Sequence, residues 1–471
     1  MAELGGILMS FIGRKFEQNK LNNLYADKMG RIVVIYGRRR IGKSELIHEF
    51  CKNKKSIFFE GLEHESTKAQ INNFVIRLAE QTQQSHLLQT KFQNWESLFN
   101  YLTQNIFSNG QKTVLVFDEL QWMAAGQSRL INQIKSFWDQ HWRRQGVFLI
   151  LCGSIAHFMV KKVIQSKALY GRIDSDLLIE GLLPNEIKQF LPTRNSQEIL
   201  RYMLVLGGVP KYFEILDKRK SLEVNFNNLM FQSSGFFVNE FEKIFYSQFK
   251  EHRTYKAIVV KLNKQNLSLD QISRAINYAS GGSLKSYLDN LELTGFIKSY
   301  TSIGKFSGKQ KKYKLNDEFI HFYLKFIQPH HGEIVKNKGR NLFQNYVKNS
   351  WSSWLGIAFE RFCYKHADLI AEKLDFFDKV ERAGPLFSIK MGYQFDLVYF
   401  RTDKTATLCE IKYYDQPVDT EVIKEFSEKL KKYVPPRGFS VEKVLITSSG
   451  VTDSLRKAEY FNHIFNIDQL F

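Results

Sequence analysis

Cysteine and proline are scarce in this chain, and long apolar runs are absent. Its 471 residues include four cysteines and eight prolines. The cysteines stand far apart, with no Cys-x-x-Cys pair or histidine cluster beside them. We therefore expect no disulfide framework, and we expect reduced thiols in a cytoplasmic protein. Since no stretch of roughly 18 apolar residues and no signal-peptide pattern occurs, we expect no membrane span and no secretion.

Acidic residues are fewer than basic ones. The chain has 67 lysines and arginines against 48 acids, a formal charge of +19. Such a charge attracts polyanions, of which nucleic acid is the first candidate. The alternative is an AT-rich genome that favours lysine, which the many Asn, Ile, Phe and Lys residues also fit. The length and an ordinary globular composition predict about two to four domains.

A phosphate-binding loop is the most specific motif. Residues 31–44 read Arg-Ile-Val-Val-Ile-Tyr-Gly-Arg-Arg-Arg-Ile-Gly-Lys-Ser, a β-branched run followed by Gly-x-x-x-x-Gly-Lys-Ser. The glycines let backbone N–H groups turn inward, and a helix starting near Lys43 directs its positive end at a phosphate. Lys43 would contact the β- and γ-phosphates, and the Ser44 hydroxyl would hold Mg²⁺. The predicted nucleotide contacts are Gly37, Arg38, Arg39, Arg40, Ile41, Gly42, Lys43, Ser44 and Glu45.

A second apolar run, in residues 113–122, ends in two acids. It reads Thr-Val-Leu-Val-Phe-Asp-Glu-Leu-Gln-Trp, which is typical of a buried parallel strand. At its end, Asp118 would anchor Mg²⁺ together with Ser44, and Glu119 would polarise the attacking water. The pair lies about 70 residues after the phosphate loop, which makes it a specific signal.

A third apolar run, in residues 147–154, ends at Ser154. This serine fits two interpretations equally well: a sensor of the γ-phosphate, or the N-cap of the next helix. Further strands are predicted at 56–60 and 176–180, with helical patterns between them. The alternation predicts an α/β fold in which a P-loop lies on a doubly wound parallel sheet.

These motifs resemble the AAA+-like branch of P-loop ATPases, and more narrowly the archaeal-type ATPases among the STAND-like NTPases. The resemblance covers roughly residues 9–240, and its further marks are Phe11-Ile-Gly-Arg14-Lys-Phe-Glu17, Leu-Cys-Gly-Ser, Leu169-Tyr-Gly171-Arg172 and Leu206-Gly-Gly-Val-Pro210. It implies an ATP-dependent switch with Mg²⁺ as a cofactor.

The same resemblance implies roles for three further residues. Arg14 would lie near the base or ribose, Arg172 would sense the γ-phosphate, and Pro210 would belong to a helical lid on the nucleotide. Taken singly, Arg14 and Arg172 fit an exposed structural arginine equally well. An arginine supplied by a neighbouring subunit would imply a homo-oligomer, and the sequence leaves this open.

The pattern changes in the middle of the chain. Three short helices, the last at 283–294, precede two alternating strands around Gly304 and Gly308. This order resembles a winged helix-turn-helix. From Lys298 to Lys314 there are six lysines and no acid, so the wing would contact DNA phosphates while the third helix enters the major groove. The competing interpretation is a rigid connector between domains.

The C-terminal segment carries a second set of candidate catalytic residues. A helix around 354–363 is followed by strands containing Phe-Asp396 and Glu410-Ile-Lys412. In a hairpin, Asp396, Glu410 and Lys412 would converge, as metal-dependent phosphodiester cleavage requires. The arrangement resembles the PD-(D/E)xK nuclease fold, with Phe395 in place of the proline, and Glu360 would be a further metal ligand. An inactive nuclease fold or an incidental charge pair remain alternatives.

The sequence thus predicts four domains and an output that depends on nucleotide. They are a P-loop AAA+-like core at 1–182, a helical lid at 183–248, a winged helix at 249–330 and a restriction-endonuclease-like α/β domain at 345–471. The predicted function is an ATP-hydrolysing switch coupled to DNA binding and metal-dependent cleavage. The alternative is an ATPase regulator that binds a protein partner through the winged helix and an inactive nuclease-like domain.

Overall fold

The computed structural model describes residues 11–124, 129–249, 251–300, 311–388 and 391–471. They form two compact units. The first lies within residues 1–182 and 247–250, and the second within residues 183–246 and 251–471. Apart from residues 247–250, the predicted helical, winged-helix and C-terminal domains fall in the second unit. Their separation from one another stays a prediction.

The first unit is built on a five-stranded parallel sheet in the order β2-β3-β4-β1-β5. Its strands are β1 (Arg31–Tyr36), β2 (Ser56–Glu60), β3 (Val114–Asp118), β4 (Phe148–Gly153) and β5 (Ile173–Leu178). The helices are α1 (Lys15–Tyr25), α2 (Lys43–Cys51), α3 (Thr67–Thr82), α4 (Trp95–Tyr101), α5 (Leu120–Met123), α6 (Arg129–Phe137) and α7 (Ala156–Phe158). Strands β1, β3 and β4 are almost wholly buried, which explains their continuous apolar sequences.

The strand predicted at 176–180 is displaced. It runs from Ile173 to Leu178, at the edge of the sheet beside β1. Its burial alternates along the chain, and Asp174 and Asp176 stand on the exposed side. Because one face of this edge strand is solvated, the apolar run marks only its second half.

The second unit begins with helices. Those before the middle segment are α8 (Pro184–Ile187), α9 (Ser196–Leu206), α10 (Pro210–Glu214), α11 (Leu222–Met230) and α12 (Glu240–Gln248), whose last residues fall in the first unit. The middle segment has α13 (His252–Lys264), α14 (Leu269–Ile276) and α15 (Gly282–Leu293), with β6 (Leu267–Ser268), β7 (Ile297–Tyr300) and β8 (Lys312–Leu315). These strands form an antiparallel sheet in the order β6-β8-β7. Gly304 and Gly308 lie outside the described residues.

The C-terminal part of the second unit is a five-stranded mixed sheet in the order β13-β12-β11-β10-β9. Its strands are β9 (Val380–Ser388), β10 (Tyr393–Arg401), β11 (Thr405–Lys412), β12 (Ser440–Thr447) and β13 (His463–Asn466). The remaining helices are α16 (Glu318–Phe322), α17 (His331–Ile334), α18 (Leu342–Tyr346), α19 (Trp351–Lys365), α20 (Ala367–Lys373), α21 (Glu421–Lys431) and α22 (Asp453–Lys457). The predicted β10–β11 hairpin is confirmed as an antiparallel pair.

One face of this sheet packs against α21. Val422 and Phe426 of the helix join Phe395, Phe400 and other buried residues of the sheet in one apolar core. On the other side, the Tyr399 hydroxyl donates to the carbonyl oxygen of Ala367 in α20 at 2.8 Å. The sheet therefore lies between helices, and Glu410 at the end of the hairpin is buried.

Candidate functional site

The phosphate loop joins β1 to α2 and has the backbone geometry that its glycines predict. Gly37 has φ +153°, and a Cβ at this position would lie 2.5 Å from the carbonyl oxygen of Ile179. Gly42 is the N-cap of α2 with φ 87°. A side chain at either position would meet a clash or backbone strain. The loop thus leads directly into the positive end of α2, which fits an anionic phosphate group.

Lys43 closes this loop. Its side chain is buried, and its ammonium donates to the carbonyl oxygen of Arg38 at 3.0 Å. Arg39 stands at the surface and pairs with Glu63 at 3.4 Å. The lysine is therefore held within the loop that is predicted to bind the nucleotide phosphates.

Ser44 and Asp118 meet, although 74 residues separate them in sequence. The Ser44 hydroxyl donates to Oδ2 of Asp118 at 2.5 Å, and the other oxygen of Asp118 accepts from the Glu119 backbone N–H at 2.9 Å. Asp118 is 2% exposed. The structure thus brings together the hydroxyl and carboxylate that were predicted to share Mg²⁺, and oxygen donors of this kind suit that ion.

Glu119 is held by Ser154 and Gln121. One oxygen of its carboxylate, Oε2, accepts from the Ser154 hydroxyl at 2.7 Å, from the Ser154 backbone N–H at 3.3 Å and from the Gln121 amide. The N-cap of the next helix is Ile155, without a side-chain bond. The capping interpretation of Ser154 is therefore wrong, because its hydroxyl is used by Glu119.

Gln121 was missed by the sequence reasoning. Its amide also donates to the Ser154 hydroxyl at 3.3 Å, while its own carbonyl oxygen is buried without a hydrogen-bond partner in the described structure. The signal lay in the Asp-Glu-Leu-Gln spacing, since a helical turn after Glu119 returns the Gln121 side chain towards the strand ends.

Arg14 is buried beside the phosphate loop. Its guanidinium donates to the carbonyl oxygens of Ile41 at 2.9 Å and Glu180 at 2.5 Å, and it pairs with Glu17 at 3.3 Å. The exposed structural arginine weighed from the sequence is therefore wrong, because this side chain is 4% exposed. Arg14 links the segment before α1 to the loop backbone.

No described contact brings Arg172 to the phosphate loop. Arg172 forms a two-pronged ion pair with Asp139, at 2.7 and 2.9 Å, and hydrogen bonding to Asp139 raises its pKa. Contact with a γ-phosphate would require this pair to open. Pro210 begins α10 in the second unit.

The predicted C-terminal residues converge at the end of the β10–β11 hairpin. The paired ladder ends at Leu397 and Cys409, so Asp396 and Glu410 are the next residues on the two strands. The backbone N–H of Ile411 donates to Asp396 at 3.1 Å, and the Lys412 ammonium lies 3.3 Å from Glu410. This placement agrees with the predicted cluster.

Burial and mutual repulsion shift the acids of this cluster. Burial, reinforced by the charge of Glu410, raises the pKa of Asp396 to about 6. Burial, reinforced by the charge of Asp396, raises the pKa of Glu360 on α19 to about 7. Three carboxyl groups thus share a region where a further positive charge would be stabilising.

Two partners of this cluster were not predicted. Lys429 of α21 donates to both oxygens of Glu410, at 2.8 and 2.7 Å, and Lys412 donates to Glu425 at 2.6 Å. Val422, Phe426 and Lys429 follow helical spacing, so the amphipathic pattern of 421–431 could have placed Lys429 on the sheet side. Within the described ranges, no three His, Cys, Asp or Glu side chains are arranged to hold a metal ion.

The lysine-rich hairpin is engaged in part with its own domain. Lys311 pairs with Glu292 at 3.5 Å, and Glu292 also accepts from the backbone N–H of Ser299 at 2.7 Å. On α15, Asn290 is buried and donates to the Tyr255 hydroxyl at 2.6 Å. Glu292 and Asn290 of the predicted recognition helix are thus used internally, and residues 301–310 lie outside the described residues.

None of the helices in the described part of the chain is both long and apolar enough to cross a membrane.

Comparison with known proteins gives a family match within the first half of the chain and a relative along most of its length. Residues 11–216 match the family described as an ATPase domain predominantly from Archaea. The uncharacterized protein MJECL04 of Methanocaldococcus jannaschii is 26% identical over 440 residues, which cover 90% of this chain and 91% of that one. An uncharacterized ATP-binding protein of the same organism, MJ0423, is 42% identical over 50 residues, 11% of this chain and 83% of that one.

The fold has a solved counterpart. The structure of the Walker-type ATPase PABY2304 of Pyrococcus abyssi aligns with a TM-score of 0.50 at 17% identity, covering 67% of this chain and 96% of that chain. This likeness shows a shared fold, and the family match covers the segment that holds the phosphate loop, Asp118 and Glu119. Residues 11–216 are therefore similar to an ATPase domain predominantly from Archaea, and the protein is an ATP-hydrolysing enzyme that binds nucleotide.

Proposed function

We propose that this ATPase drives a switch whose output is DNA binding and metal-dependent DNA cleavage by the second unit. The observation that carries the proposal is the meeting of Asp396, Glu410 and Lys412 at one end of a buried hairpin. A region that gathers carboxylates beside a lysine is what phosphodiester hydrolysis uses. The proposal also fits the net charge of +19.

At the nucleotide site, each residue has a proposed task that follows from its contacts. Lys43, held in the loop by the Arg38 carbonyl, would exchange that partner for phosphate oxygens. Ser44 and Asp118 would hold Mg²⁺, which neutralises phosphate charge when bound. Their 2.5 Å contact places a hydroxyl and a carboxylate where one ion could take both.

Glu119 would accept a proton from the attacking water. Its Oε2 is occupied by Ser154 and Gln121, so Oε1 is the oxygen left to face the water. Fixing one carboxylate oxygen orients the other, which lowers the entropic cost of the reactive arrangement.

At the C-terminal cluster, Asp396, Glu410 and Glu360 would supply carboxylate oxygens to a divalent ion, since such oxygens are the donors that Mg²⁺ takes. Lys429 now holds both oxygens of Glu410. It would have to release one of them. Hydrogen bonding to Glu425 and the charge of Glu410 outweigh burial and raise the pKa of Lys412, so Lys412 would stay protonated and stabilise charge on the phosphate.

We also propose that β6, β7, β8 and α13–α15 form a winged helix that contacts the DNA backbone. Three helices followed by an antiparallel sheet fit that fold, and the wing is rich in lysine. This assignment rests on element order and charge.

The runner-up function is an ATPase regulator that binds a protein partner through the same domains. It is favoured by Lys429, which fills the place of a cation beside Glu410, and by the absence of a three-ligand metal set among the described residues. Under this hypothesis the second unit keeps a nuclease-like fold without catalysis.

Cleavage assays separate the two. Purified protein is incubated with single- and double-stranded DNA in Mg²⁺ or Mn²⁺, with ATP turnover measured in the same tubes. The proposal expects DNA cleavage by the wild-type protein. Glu410→Ala and Asp396→Asn should abolish this cleavage while ATP turnover persists. The matched surface variant Glu428→Gln should still cleave DNA. Intact DNA beside normal turnover would rule out the nuclease, and DNA binding that does not weaken with salt would favour the protein-partner function.

A further inference from the structure

Three cationic side chains gather where the middle sheet meets α19. We call Lys298 of β7, Lys314 of β8 and Arg361 of α19 the cationic cluster. The two lysines are direct register partners in the antiparallel pair. Their ammonium groups both stand over the ring of Tyr364, at 5.7 Å for Lys298 and 3.2 Å for Lys314. Like charges directly opposite each other on adjacent strands repel, so this arrangement is costly without an anion.

The described residues give the two lysines of the cluster no acidic partner. Neither lysine forms an ion pair or hydrogen bond with a described side chain, and the nearby Glu318 accepts from Lys365 with both oxygens, at 2.7 and 3.0 Å. The wing segment 301–310 contains no acid in its sequence. The neighbouring Glu292 is shared between Lys311 and Ser299.

Arg361 of the cationic cluster has a buried N–H group that lacks a hydrogen-bond acceptor. Its Nη2 is buried without a hydrogen-bond partner in the described structure, although its guanidinium lies 5.8 Å from the ring of Trp354. A buried donor without an acceptor costs free energy until a ligand supplies one.

Lys314 shows the same imbalance. Burial, with the charges of Lys298 and Arg361, lowers its pKa to about 7. An anion between the three groups would reverse this effect, because it would stabilise the charged ammonium. The planar fork of an arginine and the point charges of two lysines match the oxygens of a phosphate group.

We propose that the cationic cluster is a phosphate-binding site. It takes a phosphate group with oxygens accepting from Arg361, Lys298 and Lys314, while the Tyr364 ring forms one wall. The phosphate comes from the backbone of bound DNA, which rests on the proposed function, or from a free phosphate compound. The bound phosphate would link β7 and β8 to α19.

The test compares Lys298→Ala/Lys314→Ala with the matched control Lys336→Ala/Lys338→Ala, which removes the same charge from exposed positions of the same unit. Both are made in full-length protein carrying Lys43→Ala, so that phosphate contact in the ATPase loop is weakened equally. Two probes are used: a labelled DNA duplex followed by anisotropy across a salt series, and sodium pyrophosphate followed by its effect on Tm.

We expect Lys298→Ala/Lys314→Ala, the cluster variant, to bind the duplex at least tenfold more weakly than the control. Its slope of log Kd against log salt concentration should be smaller by about 1 to 2. Pyrophosphate should raise the Tm of the control and leave the cluster variant unchanged. Loss of the pyrophosphate response without any duplex binding by either protein supports the site with a free phosphate ligand and refutes the DNA part of the proposed function. Equal responses of variant and control to both probes overturn the site, whatever DNA binding remains.

A third variant separates binding from structure. Lys314→Met removes an uncompensated buried charge but keeps the side-chain volume, so Tm should rise while the pyrophosphate response falls. If Lys314 only serves to pack on Tyr364, Tm falls and the pyrophosphate response stays, which contradicts the proposal.

Discussion

Lys429 and Glu410 form a two-pronged ion pair, with the ammonium donating to both carboxylate oxygens at 2.8 and 2.7 Å. Glu410 is 1% exposed and lies beside Asp396, so the pair places a positive charge where the two acids would otherwise repel. It joins α21 to the centre of the C-terminal sheet. A metal ion could bind Glu410 only if Lys429 released one of these oxygens, so the same contact separates a metal site from a purely structural network.

Lys429→Met should therefore destabilise the protein. Removing the ammonium leaves the Glu410 carboxylate buried beside Asp396, and we expect a loss of about 2–3 kcal/mol in the free energy of unfolding, measured by urea titration. Lys431→Met, which removes an exposed pair with Glu428, should leave it nearly unchanged. Adding Glu410→Gln to Lys429→Met should restore part of the loss, and a double variant no more stable than the single one would contradict this account.

Stability of the second unit should fall as pH rises from about 4 to about 7. The pKa values of Asp396 and Glu360 are raised to about 6 and about 7, so the folded state keeps protons that the unfolded chain has already released. The free energy of unfolding then decreases with pH across that window. Unfolding titrations at several pH values should give this negative slope, and Glu360→Gln should flatten it. An unchanged slope in Glu360→Gln would exclude Glu360 as a source.

The hydrogen bonds on Glu119 should matter for turnover and little for nucleotide affinity. Ser154→Ala and Gln121→Leu each remove a donor to Oε2, which leaves the carboxylate less well oriented. We expect kcat to fall about 10- to 100-fold, with ATP affinity measured by calorimetry within about twofold of wild type. Thr113→Ser, a buried change away from the phosphates, serves as the control. A loss of affinity equal to the loss of kcat would refute an orienting role.

The Arg172–Asp139 pair provides a test of the predicted γ-phosphate arginine. If Arg172 must leave Asp139 to act, Asp139→Asn should raise ATP turnover, because it weakens the resting pair. Arg172→Ala should lower turnover by about 10³-fold, as loss of such an arginine does. Should both variants keep wild-type turnover, Arg172 is a surface residue of structural use alone. Measuring turnover across protein concentrations shows whether the arginine acts between subunits.

Short-range pattern predicted the strands and the helix start around the phosphate loop well. The strands at 31–36, 56–60 and 114–118, the start of α2 at Lys43 and the hairpin at 393–412 follow from apolar runs, glycine positions and alternation, because these are local properties of the backbone. The edge strand β5 was misplaced since its exposed aspartates hide it from a search for apolar runs.

What the sequence determined by itself is the set of chemical groups: a phosphate loop, two acids after a strand, and an Asp-Glu-Lys set on a hairpin. Only the tertiary structure decided which of these groups meet and which other side chains contact them. The hydroxyl of Ser154 turns to Glu119 and not to a helix end, Lys429 claims Glu410, and Lys314 packs on Tyr364. These contacts join residues far apart in the chain, and their free energies depend on burial and neighbouring charge, which no local pattern contains.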